Sequence, residues 1–472
     1  MRVLKNYLYN VTYQLLVLII PLVTIPYLAR HLGPTGVGIN AYTSSIMSYF
    51  ALLGSLGISL YGTREIAMVR DNATKRSQLF WEIEGIQFVI SMAALLAFYV
   101  FVWFQPQYQS YFLLQSITLI GSAVDISWFF MGLEDFRKTV VRDAFVRIIS
   151  LIVIFTWVKQ PQDLWIYILV LALSGLLGNL SLWPYLHDLL THVPHQRLQI
   201  WRHLRPSLIL FVPTASMQLY ILMNKTFLKH MVSVQASGFM DYSDRIINIA
   251  LIVVTSLSAV VLPHISNLFA QHDLNAVHRS LYRSFQYVSA IAIPIAFGLY
   301  AVASPIVNWL LTPRFGLTGI LLMIQAPCIV LIAWNNAIGK QYLIPVNRVR
   351  DYTLAVSFGA LLNVFLNLGF IHWFGVYGAA YATVGTEVFV TGVELLLVRH
   401  QLKFTLLFHN LWKFLVAAAV MNVIVIICQH HLPATLPYFV LEISIGALVY
   451  GLGLLALRTD SVTQVLSHLR SH

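Results

Sequence analysis

Fourteen apolar stretches, each long enough to cross a bilayer, follow one another from Leu8 to Leu457, and the basic residues fall almost wholly in alternate gaps between them. A helix needs about 20 apolar residues to cross about 30 Å of hydrocarbon. The expected spans are 8–29, 38–60, 79–103, 111–132, 140–158, 163–186, 207–230, 240–267, 284–311, 318–339, 352–371, 376–398, 411–429 and 436–457. The pattern predicts an all-α integral membrane protein. Only 10% of the residues are charged, against about 25% in an average soluble domain. Lipid must cover a surface so poor in charge.

Orientation follows from the gaps. Clusters at Arg64, Arg70, Lys75 and Arg76, at Arg137, Lys138 and Arg142, at Arg197, Arg202 and Arg205, and at Lys340, Arg348 and Arg350 share one side. About 23 of the 29 Lys and Arg lie there, the side that the positive-inside rule assigns to the cytoplasm. An even number of spans puts both termini in the cytoplasm. The start MRVLKNYLYN has no cleavage-site pattern and is expected to be retained. The pI near 9.5 reflects this loop bias, so no nucleic-acid partner is expected. Cys328 and Cys428 lie inside apolar spans, where a thiol behaves as a small hydrophobe.

A weak internal repeat appears at an offset near 200. LARHLGPTGVGINAY (28–42) is echoed by LKHMVSVQASGFMDY (228–242), with Gly38 and Tyr42 matching Gly238 and Tyr242. Trp128, Gly132 and Arg142-Asp143 are echoed by Trp334, Gly339 and Arg350-Asp351. The expected organisation is therefore 1–200 as one lobe, 201–404 as a second, and 405–472 as two further spans with a cytoplasmic tail. Transporters commonly bind substrate between such halves.

Arg30, Lys225, Lys229 and Arg245 break the charge pattern. A central Lys, Arg or Asp costs about 2.5–3.5 kcal/mol on the insertion scale, so such residues face a cavity or a partner. Ser207, Thr214, Gln218 and Lys225 follow i, i+7, i+11, i+18 spacing and form one polar stripe, with Tyr220 and Asn224 on another face. Asp241, Asp244, Arg245 and Asn248 share a face of the next span, and Asp241 and Arg245 are spaced for an i,i+4 pair. Asn40, Thr43, Ser44 and Ser48 make a similar stripe, and Arg30 follows Asn10, Gln14, Pro21 and Thr24. These stripes are what a hydrated vestibule requires. Each has a plainer reading: Arg30 snorkels to the interface, Arg245 neutralises Asp241, and the small hydroxyls pack helices. Asp125, Glu387 and Asp244 are candidates for proton or sodium coupling, or else buried groups paired with a neighbour; the same holds for Glu394.

Catalytic and metal motifs are missing from the sequence: there is no HExxH, no Walker GxxxxGK[ST] and no GxSxG. The histidines lie mainly in loops and at span ends, His187, His192, His195 and His203 among them, and are expected to be solvated or interfacial. No enzyme, metal or bound cofactor is expected.

PYLARHLGPTGVGINAY (26–42), GTREIA (62–67) and WFFMGLEDFRK (128–138) resemble the Wzx-type oligosaccharide-repeat-unit flippases of bacterial surface polysaccharide assembly. QLYILMNKTFLKHM (218–231) and GKQYLIPVNR (339–348) are similar to later blocks of that family. The resemblance runs from end to end and extends to the superfamily of MATE exporters and the peptidoglycan-precursor flippase. It implies two six-helix lobes around a central cavity plus two C-terminal helices, in the bacterial cell membrane. It implies an undecaprenyl-diphosphate-linked oligosaccharide as cargo, with membrane lipid, a polysaccharide polymerase and a chain-length regulator as partners. Arg30, Lys225 and Arg245, with Asn224, Gln218 and Asn40, would then meet the diphosphate and sugars during alternating access. Related sequences often carry an acidic residue where this chain has Asn224, which leaves Lys225 less neutralised. The alternatives are a MATE-like drug or metabolite exporter, or a flippase for another lipid-linked precursor.

Overall fold

The computed structural model describes residues 2–191, 193–194, 198–255, 258–431 and 436–459. Every regular element among them is helical. That is the expected outcome where no water reaches the backbone, because a helix satisfies its amides internally. The chain forms two compact units, Met1–Gly238 and Phe239–His472.

The first unit begins with α1 (Arg2–Ser55), which carries both of the first two expected spans. Its one non-helical residue is Gly33, at φ 65°, ψ 179°. Pro34 follows, where its fixed φ and missing N–H suit the first position of a restarted helix. Next come α2 (Ile58–Val69), α3 (Ala73–Trp103), α4 (Gln109–Ala123) and α5 (Ser127–Gly132). The break between α4 and α5 is capped by Asp125, whose carboxylate accepts from the Ser127 amide at 3.0 Å and hydroxyl at 2.6 Å. Then α6 (Phe136–Trp157), α7 (Leu164–Leu180) and α8 (Leu204–Met231) complete this part of the chain, and α9 (Val234–Thr255) starts within it.

The second unit holds the rest of α9, then α10 (Ser258–Ala270), α11 (Leu274–Leu310) and α12 (Gly316–Asn335). A π-helical segment, Asn336–Leu343, continues α12. After it come α13 (Val349–Phe374), α14 (Val376–Val398), the short α15 (Phe404–Leu407), α16 (Leu411–His431) and α17 (Leu436–Ala456).

Among the described residues, ten helical segments are long and apolar enough to cross a membrane, or eleven if the bent segment Ile200–Val212 with Ala215–Met231 is one span. The first two expected spans run together across Gly33 into one stretch, Ile20–Val69. Expected span 140–158, which contains Arg142, Asp143 and Arg147, is not among the ten; expected span 240–267 includes residues 256–257, which lie outside the described residues.

Two of the sequence blocks dock on each other in the first unit. A Cβ on Gly62 would lie 2.5 Å from the Trp128 indole, and one on Gly132 would lie 2.8 Å from Ile66 and the Thr63 carbonyl. The Thr63 hydroxyl donates to the Trp128 carbonyl at 3.3 Å. Trp128 is fully buried and stacks on Phe80 at 5.7 Å. In the second unit Trp334, its echo, stacks on Phe285 at 5.5 Å. Trp128→Ala should leave a cavity that costs on the order of 3 kcal/mol. A clearly lowered Tm of the detergent-purified protein is the expected result; an unchanged Tm would mean the GTREIA–WFFMG contact does not hold the unit together.

Candidate functional site

The first cations sit where helices turn or cross. Arg30 is exposed one turn before Gly33. Asn40 is buried, and the hydroxyls following it bond back to their own helix: Thr43 to the Ile39 carbonyl at 2.9 Å, Ser44 to Ala41 at 3.3 Å and Ser48 to Ser44 at 2.7 Å. Such back-bonding makes a hydroxyl a packing group rather than a free ligand. Lys225 is half-buried on α8, Asn224 beside it is buried, and Gln218 two turns earlier is exposed. Tyr49 and Thr226 link α1 to α8 through their hydroxyls at 3.2 Å. The Ser237 hydroxyl donates to the Lys225 carbonyl at 2.6 Å. Lys229 lies over two tyrosine faces, Tyr42 at 4.9 Å and Tyr108 at 5.9 Å. Cation–π attraction therefore accounts for one of the four pattern-breaking cations. The side chains of Asn10, Gln14, Thr214 and Arg137, the residues His192, His195 and Arg197, and the tail 460–472 lie outside the described residues.

The repeated segments meet through backbone. A Cβ on Gly38 would fall 1.9 Å from the Val234 carbonyl oxygen; one on Gly238 would fall 2.9 Å from the Pro34 carbonyl oxygen and 2.8 Å from the Gly38 nitrogen. Gln235 donates to the Thr35 hydroxyl at 3.1 Å. Gly38 faces Val234 and Gly238 faces Pro34, so each contact repeats with its numbers shifted by 200. Reciprocal contact of this kind is the mark of a two-fold relation. All these residues belong to the first unit.

In the second unit Arg245 and Asp241 form the expected i,i+4 pair, Nε to Oδ2 at 2.7 Å, with Asp241 buried and Arg245 41% exposed. Asp244 accepts from the Gln325 amide at 3.0 Å, and the Ser243 hydroxyl donates to the Gln325 carbonyl oxygen. Asp244 and Glu387 both lie within electrostatic range of the buried Cys328 thiol, so two of the three coupling candidates share one neighbourhood. Asp125 is in the other unit, holding the start of α5. Asn363 on α13 donates to Thr386 on α14 at 2.9 Å, an interhelical amide contact, and Asn367 donates to Asn363 within α13 at 2.8 Å.

Sequence reasoning missed the cluster around Glu82, and it named Glu394 without the surroundings the structure gives it. Glu82, fully buried in α3, accepts from His203 at 2.8 Å, from the Gln78 amide at 2.9 Å, from the Gln199 backbone at 3.0 Å and from Arg202. His203 also bonds Tyr61 Oη at 2.7 Å and is 3% exposed, which overturns its expected solvated state. A histidine near a span end reads as interfacial until a carboxylate about 120 residues away is known to reach it. Glu394, on α14, is buried with neither carboxylate oxygen hydrogen-bonded among the described residues. It lies against Gly339, where a Cβ would come 2.7 Å from Oε1, and within electrostatic range of Lys340. Both neighbours belong to the π-helical segment, which has no periodicity signal in the sequence.

A family profile described as polysaccharide biosynthesis protein matches residues 3–269, more than half of the chain. The chain belongs to that family. It is a Wzx-type flippase, a multi-pass protein of the bacterial inner membrane and a transporter rather than a catalyst. The profile of the lipid II flippase MurJ also matches, over residues 144–452. A putative O-antigen transporter of Escherichia coli K12 is 23% identical over 402 residues, covering 84% of this chain and 97% of the relative. One of Shigella dysenteriae is 20% identical, covering 78% and 93%. Among solved structures, lipid II flippase MurJ in its inward closed conformation superposes with a TM-score of 0.77 at 16% identity, covering 97% of this chain and all of that one. An inward-facing MATE family multidrug transporter gives 0.63 at 13% identity, covering 84% and 94%. At such identities the structural likeness shows the fold alone.

The glycine crossing makes a graded prediction for this flippase. Gly38→Ala, aimed at a carbonyl 1.9 Å away, should lower Tm more than Gly238→Ala. Overpacking of this kind costs about 1–3 kcal/mol. Gly175→Ala, with nothing within 4 Å, should leave Tm unchanged. Equal Tm values for all three would remove the close crossing.

Proposed function

We propose that this flippase moves undecaprenyl-diphosphate-linked oligosaccharide repeat units from the cytoplasmic to the outer leaflet for surface polysaccharide assembly. The observation that carries the reading is the polysaccharide-biosynthesis profile across residues 3–269, together with O-antigen transporter relatives matched over most of their own length. In this reading the chain crosses the membrane fourteen times with both termini in the cytoplasm, and alternating access exposes a polar passage to each face in turn.

The cargo sets the chemistry. Its diphosphate is a compact polyanion that hydrocarbon excludes, and Arg30, Lys225 and Arg245 are the cations we assign to replace its water. Asn40, Gln218 and Asn224 are assigned to the sugars, while the prenyl tail stays in lipid. Arg245 Nε bonds Asp241 Oδ2 at 2.7 Å, which holds the guanidinium in place on its helix. Asp125, Asp244 and Glu387 are assigned to binding the driving proton or sodium ion, and a polymerase with its chain-length regulator would take the product.

Lys225→Ala removes a charge-assisted contact worth about 1.5–3 kcal/mol, so export should fall roughly tenfold or more while the protein still inserts. The readout is the leaflet that holds the lipid-linked repeat unit. Normal outer-leaflet delivery in that variant takes Lys225 out of the mechanism. Arg245→Glu should be worse than Arg245→Ala, because it adds negative charge beside the diphosphate. Equal losses would make the Asp241–Arg245 pair structural. A deletion strain that gains drug sensitivity but shows no inner-leaflet accumulation would favour a drug exporter instead.

A further inference from the structure

A groove of about 1100 Å³ runs between α6 and α7 in the first unit, and none of the residues assigned above lines it. Its walls are apolar: Phe145, Ile149 and Val153 on one side, Leu169, Leu173 and Leu177 on the other. Three serines also line it, but each donates to its own helix, Ser150 to Val146 at 2.7 Å, Ser174 to Leu171 at 2.9 Å and Ser181 to Gly178 at 2.7 Å. The three serines are therefore satisfied within their own helices. The groove is a surface for hydrocarbon.

The two ends differ. At one, Lys138 and Arg142 line the groove with Asp135 and Tyr185. Lys138 pairs with Asp135 at 3.2 Å and lies over the Tyr185 ring at 4.9 Å; Arg142 bonds Asp143 at 2.8 Å and the Asn179 amide oxygen at 3.3 Å. Two cations, Lys138 and Arg142, thus stand at this mouth, each held in place by a neighbouring aspartate. At the other end stand Trp157 and Trp165, both exposed, the residues that sit at a membrane–water interface. From Lys138 to Trp157 the helix rises about 30 Å at about 1.5 Å per residue. That is the whole hydrocarbon thickness, about 30 Å.

Length selects the occupant. The chains of a diacyl phospholipid stop near the bilayer midplane and would fill only half of this groove. A long polyprenyl chain with a phosphate at its head would fill all of it. We propose that the α6–α7 groove is the docking site for the polyprenyl tail of the lipid carrier, with its phosphate held at the Lys138–Arg142 mouth. The proposal rests on the reading that the cargo is polyprenyl-linked. It adds a tail site apart from the cations assigned to flipping.

The test uses the full chain in nanodiscs and a polyprenyl monophosphate bearing a diazirine on its tail, without sugar. Photolabels should map to α6 and α7. Excess unlabelled polyprenyl phosphate should remove them, and the same excess of dioleoylphosphatidylglycerol should not. Ser174→Phe, which fills the groove, and the double reversal Lys138→Glu with Arg142→Glu should each lower labelling about tenfold, a change of about 1.4 kcal/mol in binding. Labels elsewhere, equal competition by phosphatidylglycerol, or wild-type labelling of both variants would overturn the site. Should one variant fail to insert, the map on the wild-type chain decides. If labels map to the groove but deletion causes no inner-leaflet accumulation, the tail site stands and the export reading falls. If export is normal and the groove stays unlabelled, the reverse holds.

Discussion

Hydrocarbon offers the chain no water, and every departure from regular helix must be compensated by the protein itself. At Gly33 the residue that turns is one that tolerates positive φ, and Pro34 lacks the amide that a restarted helix would leave unsatisfied. Between α4 and α5 the Asp125 carboxylate takes up the Ser127 amide. Helices in lipid also lack a hydrophobic drive to associate, so close backbone approach carries more of the packing. A Cβ on Gly378 would lie 2.1 Å from the Phe370 carbonyl oxygen, much as one on Gly38 would meet Val234. The glycines mark where helices touch.

The same scarcity of water sorts the charges. Lys229 is accounted for by tyrosine rings, Arg245 by Asp241, and Glu82 by four donors. The Glu82 cluster ties the start of α8 to α3 through His203 and Arg202, so the segment entering the seventh expected span is fixed by charge as well as by the apolar contacts of Ile200 and Leu204. Glu394 is the opposite case: a Cβ on Gly339 would lie 2.7 Å from its Oε1, and neither of its oxygens is hydrogen-bonded among the described residues. π-Helical turns inside α-helices are unstable unless packing maintains them and are frequent at functional sites.

Much of this was legible in the sequence because apolar length and charge alternation are one-dimensional signals. The all-helical class and the Asp241–Arg245 pair follow from spacing. The echo at Gly38 and Gly238 was visible as two matched letters; that they touch was not, since contact over 200 residues leaves no periodic trace. Span number was less legible. A charged helix such as α6 and a continuous helix such as α1 confound a count based on apolar windows, in the folded chain as in the sequence. His203 and Glu82 were invisible for the same reason as the groove: each depends on two distant segments lying side by side.

Serine shows why polar residues alone do not identify a wet surface. Ser44 and Ser48 lie in a stripe expected to face water, and Ser150 and Ser174 lie in a groove lined by hydrocarbon, yet all four donate to carbonyls of their own helix. A hydroxyl satisfied in this way costs little in either setting. Charge is different, because an ion cannot be satisfied by its own helix backbone at comparable cost. An amphiphilic cargo asks for both kinds of surface, one that accepts charge and one that does not. Along α6 they occupy a single helix, with Lys138 and Arg142 near its start and Phe145, Ile149, Val153 and Trp157 beyond them. The order of residues along that helix is the order of groups along a phosphate-headed lipid.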